Sequence, residues 1–282
     1  MSNVKKLKAS DRLAIAQKVA AVLKKQYKGH PPEIEYPTLE TLLFAAILEN
    51  APAPSATEAY ERLLESFHDL NEIRVSSIAE IEQALEPLPE AGPKAVRIRE
   101  LLQFTFEKYF NFDLEQLRRK TADVVDKQLA KIRHFTPFMK LCLHHYSLGA
   151  HAVPLDDRSR EVLTWLGLVE PGMGVEEAAE DLKHVIRKAD TDQFCHVIRQ
   201  VATDPAYKGK FKVAAGTEPD PFTAVERLGN LLAGLPTKPA PKVVKTKKPE
   251  PAAVPKRTAK PAGKTAPPPT KVTKAKPAAR KK

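Results

Sequence analysis

Apolar residues recur at helical spacing almost everywhere between residues 10 and 212, and no stretch alternates with the period of two that a strand requires. Proline and glycine mark the breaks. LAIAQKVAAVLKKQY, with Ser10-Asp11 as its expected cap, ends before Gly29 and the pair Pro31-Pro32. Thr38 opens LETLLFAAILEN, which Pro52 and Pro54 close; Ser55 is the expected cap of ATEAYERLLESF and Ser77 that of IAEIEQALEPL. Gly92-Pro93 places proline at the start of KAVRIRELLQFTFEKYF. LEQLRRK and TADVVDKQLAKI follow a turn, Pro137 opens FMKLCLHHYSL, and Gly149 closes it. Asp156 or Asp157 caps RSREVLTWLGLV, Gly174 precedes VEEAAEDLKHVIRKA, Thr191 precedes DQFCHVIRQVAT, and 222–233 reads as a last weak helix. Segments of ordinary helix length with short turns predict an all-α domain, and the lack of a fixed period speaks against a solenoid. The expected division is a basic N-terminus at 1–9, a helical domain at 10–212, a linker with a weak helix at 213–235 and a tail at 236–282.

The charge of +11 sits in the tail. Residues 236–282 hold 15 Lys/Arg against the single acid Glu250, which leaves 31 Lys/Arg and 34 Asp/Glu in residues 1–235. Eleven of the 25 prolines also lie in this tail, and its apolar residues are only Ala and Val. Such a segment buries too little surface to offset its ordering entropy, so it is expected to be disordered and extended. Lysines spaced along an extended chain neutralise phosphates without reading sequence. Lys245, Lys247, Lys248, Lys256, Arg257, Lys260, Lys274, Lys276, Arg280, Lys281 and Lys282 are the expected contacts to a polyanion, double-stranded DNA above all. A solubilising tail, or one touching RNA or an anionic membrane surface, is the alternative. No apolar run reaches the ~18 residues of a membrane span, and the N-terminus lacks the apolar core of a secretory signal. With two cysteines and no disulfide framework, a cytoplasmic, nucleoid-associated location is expected.

Eleven glycines supply no phosphate-binding loop, and no nucleophile elbow or His-Glu-x-x-His is present. Cys142 with His145, and Cys195 with His196, lack the paired spacings of a structural zinc site, so no metal is expected.

The stretch IRHFTPFMKLCLHHYSLGAHAVPLDDRSREVLTW, residues 132–165, resembles the helix-hairpin-helix DNA glycosylases of the endonuclease III group. That family's hairpin reads Leu-Pro-Gly-Val-Gly, followed by a helix, a Gly, and an apolar-Asp step. Here the same ungapped spacing gives Ile132-Arg133-His134-Phe135-Thr136, then Gly149, then Leu155-Asp156. Residues 42–52, the segment LPEAGPKAVRIRELL with Lys94-Ala95, and Cys195-His196 match further family steps, so the likeness spans roughly residues 10–205. It implies a two-lobed all-α domain, DNA as partner, a monomer, and phosphate binding at the hairpin by Lys131, Arg133, His134, Phe135, Thr136 and Lys140. His134 and Thr136 stand where the family has glycines that take φ > 0 easily, which weakens the expected grip.

The resemblance further implies that Asp156 is the catalytic carboxylate beside an extruded nucleotide, although an Asp at a helix start is also an ordinary cap. Phe138 occupies the place of the lysine that forms a Schiff base in bifunctional members, so lyase activity is not expected. No cysteine follows Cys195, so no iron–sulfur cluster is expected either. The function this suggests is a monofunctional DNA N-glycosylase of base-excision repair. The alternatives are a catalytically silent DNA-binding or nucleoid protein on the same fold, and a helical scaffold whose tail recruits an acidic partner.

Overall fold

The computed structural model describes residues 8–214 and 216–235; the tail, with all the contacts expected there, lies outside the described residues. Twelve α-helices and no strand are found among the described residues. They are α1 (Ala9–Gln26), α2 (Thr38–Leu48), α3 (Ala53–Ser66), α4 (Leu70–Val75), α5 (Ile78–Leu85), α6 (Ala91–Tyr109), α7 (Ala122–Leu129), α8 (Pro137–Cys142), α9 (Asp157–Trp165), α10 (Val175–Lys183), α11 (Thr191–Thr203) and α12 (Ala224–Leu232).

Two hydrophobic cores divide this body into lobes. The first is organised on α2, where every residue except Glu40 is buried, as expected of a helix apolar on all sides. Leu42, Leu43, Phe44 and Ile47 pack there against α3, α5, α6, α7 and α8, each burial contributing about 1.5–3 kcal/mol. The second core joins α1 to α9, α10, α11 and α12 through Val19, Leu23, Leu163, Leu182, Ile198 and Leu228. Residues 224–232, read as a weak helix in a linker, thus contribute Ala224, Leu228 and Leu231 to this core.

Caps explain several boundaries and correct others. Ser77 forms a full capping box with Glu80 at the start of α5. Helix α1 instead begins at Ala9, ahead of Ser10-Asp11, and the residue before it makes no side-chain cap. Helix α3 begins at Ala53, so Ser55 lies inside it rather than capping it. Pro93 is the third residue of α6. LEQLRRK forms a 3₁₀ segment, Glu115–Arg119, in place of an α-helix. The helix after the hairpin is also broken: α8 stops at Cys142 and continues as a wider π turn, Leu143–Ser147, closed by Leu148 N–H to Leu143 O at 3.0 Å. Gly149 then ends it at φ +63°, a conformation glycine adopts without Cβ strain.

Candidate functional site

The two lobes meet around Asp156. It caps α9: Oδ1 accepts the Ser159 N–H at 2.8 Å. Oδ2 accepts the Asn50 N–H at 3.2 Å from the first lobe and Arg199 Nε at 3.3 Å from α11. The side chain has 0 % exposure. Burial pushes its carboxyl pKa upward, but Arg199 and the N–H donors outweigh that, so the group stays below its ordinary value and is ionised.

Arg199, 5 % exposed, also lies with its guanidinium carbon 4.9 Å from the Phe138 ring centre. Its Nη2 is buried and meets no hydrogen-bond partner among the described residues. Phe138 itself is 1 % exposed and belongs to the first core. The carboxylate, the guanidinium and the ring therefore form one closed stack across the seam.

Asn50 reaches Asp156 because its backbone is left-handed, φ +57°, a region Asn tolerates better than most residues. Its side-chain Oδ1 accepts the Arg158 N–H at 3.3 Å. The preceding Glu49 is also buried; its carboxylate meets Arg97 at 3.0 Å and accepts the Thr136 hydroxyl at 3.1 Å. Burial raises the Glu49 pKa more than Arg97 and Thr136 lower it. Beneath this loop Lys94 is fully buried, donating to Ile47 O at 2.8 Å and to the carbonyls of Ala46 and Glu49. It fills the orphan carbonyls at the end of α2 and opposes that helix's dipole. Desolvation brings its pKa down to about 8.

The hairpin turn runs from the end of α7 to the start of α8. His134 adopts φ +59°, so the first of the two glycine positions keeps a left-handed backbone without glycine. Thr136, at the second, is extended (φ −96°, ψ 156°) and caps α8 by accepting the Met139 N–H at 3.2 Å. The N–H groups of Arg133, His134 and Thr136 find no acceptor among the described residues. Lys131, Arg133 and His134 are exposed, while Phe135 is half-buried against the first core. Lys140, expected among the hairpin's phosphate contacts, is 3.4 Å from both Asp126 and Glu176, and those carboxylates raise its pKa against desolvation. Behind the turn lies a cleft of about 430 Å³ whose walls include Asp126, Phe135, Thr136, Lys140 and Glu176; Asp156 is not on them.

Both cysteines are buried, and desolvation pushes Cys195 up to about 12, the behaviour of inert core thiols. No cluster of three or more His, Cys, Asp or Glu fit for a metal ion occurs among the described residues. The segment after α11 is tied back by Tyr27, whose hydroxyl donates to Asp204 at 2.7 Å. Sequence reasoning missed Arg199, although one signal was available. It lies one turn beyond Cys195 on the apolar face of α11, where a charge requires a buried partner.

No protein-family model matches the sequence, and no curated protein matches it either. Solved structures do. A trapped endonuclease III–DNA covalent intermediate, an estranged-adenine complex, aligns at 16 % identity and a TM-score of 0.53, covering 70 % of this chain and 86 % of that one. A non-covalent endonuclease III–DNA complex aligns over the same shares at 16 % identity and a TM-score of 0.51. The fold of this chain is that of the helix-hairpin-helix DNA glycosylases.

Proposed function

We propose that this chain is a duplex-DNA-binding protein of the base-excision-repair type, in which Asp156 serves as a structural ion pair and does not act on the sugar. The observation that carries the second half is the closed Asp156–Arg199–Phe138 stack: both carboxylate oxygens are occupied, and the group has 0 % exposure. A carboxylate that stabilises charge on an extruded sugar must be within contact distance of it, and here Arg199, backed by the Phe138 ring, takes up one of its oxygens.

The first half draws on the fold, on the left-handed turn at His134 and on the unpaired N–H groups beside exposed Lys131 and Arg133. Such N–H groups at a turn leading into a helix suit a phosphate. With Lys140 neutralised and residues 1–235 carrying 31 Lys/Arg against 34 Asp/Glu, the tail supplies most of the sequence-independent affinity. Salt titration of duplex binding tests this. Deleting 236–282 should flatten the slope of log K against log salt. An unchanged slope denies the tail that role, and absence of duplex binding by the full chain refutes the DNA-binding reading itself.

A second reading is favoured by a different observation. Asp156 is ionised at the helix start and Phe138 replaces the lyase lysine, the equipment of a monofunctional N-glycosylase. That chemistry requires Arg199 to withdraw when DNA binds. Its signature is base release abolished by Asp156→Asn.

A further inference from the structure

Lys108 lies in the last turn of α6, Lys120 follows the 3₁₀ segment, and Lys131 sits in the turn after α7, two residues before Arg133. All three are exposed, and none forms an ion pair with a described carboxylate. Each of the first two is nevertheless held in place. The Lys108 ammonium rests 5.2 Å from the Phe104 ring centre and 5.3 Å from that of Tyr109. The Lys120 ammonium donates to Gln128 Oε1 at 3.2 Å, and the Gln128 amide in turn donates to the Tyr109 hydroxyl. The Lys131 N–H donates to Gln128 O at 3.4 Å, so all three lysines are gathered around Gln128 and Tyr109, and Lys120 and Lys131 add to desolvation in lowering the Lys108 pKa.

No described acid of the same stretch forms an ion pair with the three lysines. Glu115 is taken by Arg118 at 2.9 Å and by the Thr38 N–H at 2.5 Å; Asp126 is taken by His144 at 2.7 Å and by Lys140. Asp113 accepts the Glu115 N–H at 2.7 Å, and Asp123 stands in the first turn of α7. Like charges gathered without an ion-pair partner repel one another, and an anion that joins them relieves this.

We propose that Lys108, Lys120 and Lys131 form a docking ridge for the sugar-phosphate backbone of duplex DNA, extending the hairpin contact sideways along one strand. This rests on the DNA-binding reading above. The ridge replaces the charge that the hairpin loses through the neutralised Lys140, and the three positions contact phosphates only, so they read no sequence.

The test uses the full chain, two unrelated duplexes and a single-stranded RNA in anisotropy titrations across a salt series. The variant Lys108→Gln/Lys120→Gln/Lys131→Gln is compared with Lys18→Gln/Lys24→Gln/Lys25→Gln, which removes the same charge from exposed positions of α1. The ridge variant should lower the salt slope by about 2 to 3, near 0.9 for each phosphate no longer neutralised. The weakening should be equal on both duplexes, and the triple arginine variant should restore the slope. The α1 variant should keep it. Equal weakening in the two glutamine variants, or an unchanged slope in the ridge variant, overturns the ridge while leaving DNA binding intact. Weakening confined to the single-stranded RNA overturns it as well. Failure of the wild-type chain to bind either duplex overturns the DNA-binding reading on which the ridge depends.

Discussion

Replacing Arg199 by Met leaves the ionised Asp156 carboxylate buried at 0 % exposure with only the Asn50 and Ser159 N–H groups as partners. Removing one member of a buried pair typically costs about 3–5 kcal/mol, because the remaining charge stays desolvated. For a body of this size each kcal/mol moves Tm by about 2–4 °C, so a drop of about 6–20 °C is expected. Asp156→Asn is the complementary change. Asn can still accept the Ser159 N–H as a cap, but its amide NH2 would face the Asn50 and Arg199 donors, so its cost combines the lost charge with a lost acceptor. The double variant should be less destabilised than the sum of the singles, with a coupling of about 2 kcal/mol or more by denaturant titration. Because the folded carboxyl pKa lies below its unfolded value of about 3.9, the pair stabilises above that pH. The contribution is lost as pH falls through the folded value, and Asp156→Asn should remove that acid-side loss. Single-variant costs below about 1 kcal/mol, adding within about 0.5 kcal/mol in the double variant, would refute the buried lock.

Two further outcomes follow from the same region. His134→Gly relieves a left-handed backbone at φ +59° and should stabilise by about 0.5–1 kcal/mol, read as a higher denaturant midpoint with unchanged m-value; a loss of stability contradicts the turn geometry. Burial holds Lys94 at about 8, below an unfolded value of about 10.4. Between those two pH values the unfolded chain binds more protons, so stability rises with pH there, by up to about 3 kcal/mol. Lys94→Met should flatten that rise relative to wild type, and an identical pH profile in the variant contradicts it.

The helical architecture was legible because 3.6-residue periodicity and Pro/Gly breaks are local signals, as in α2 and the capping box at Ser77. Asp156 was legible as a cap for the same reason. Its closure was not: Asn50, Phe138 and Arg199 come from three helical regions spread over some 150 positions of sequence, and only packing brings them together. The left-handed conformation of His134 was hidden because the residue type argues against it, and the turn imposes it from outside. The pairing of Lys140 with Asp126 and Glu176 was not legible, because both partners lie on other helices. Lys131 was legible as a hairpin cation, but Lys108 and Lys120 carry no local signal that sets them apart; their grouping with Lys131 arises from the convergence of α6, the 3₁₀ segment and the turn after α7.

Duplex binding without Asp156-dependent base release is tested most directly in single-turnover assays on a panel of damaged duplexes, with binding recorded on the same substrates. Wild-type chain and Asp156→Asn are compared at equal occupancy. Both should bind the duplexes, and neither should release a base. Release by the wild type that Asp156→Asn abolishes would contradict the structural role of this carboxylate and establish Asp156 as the carboxylate of a monofunctional glycosylase.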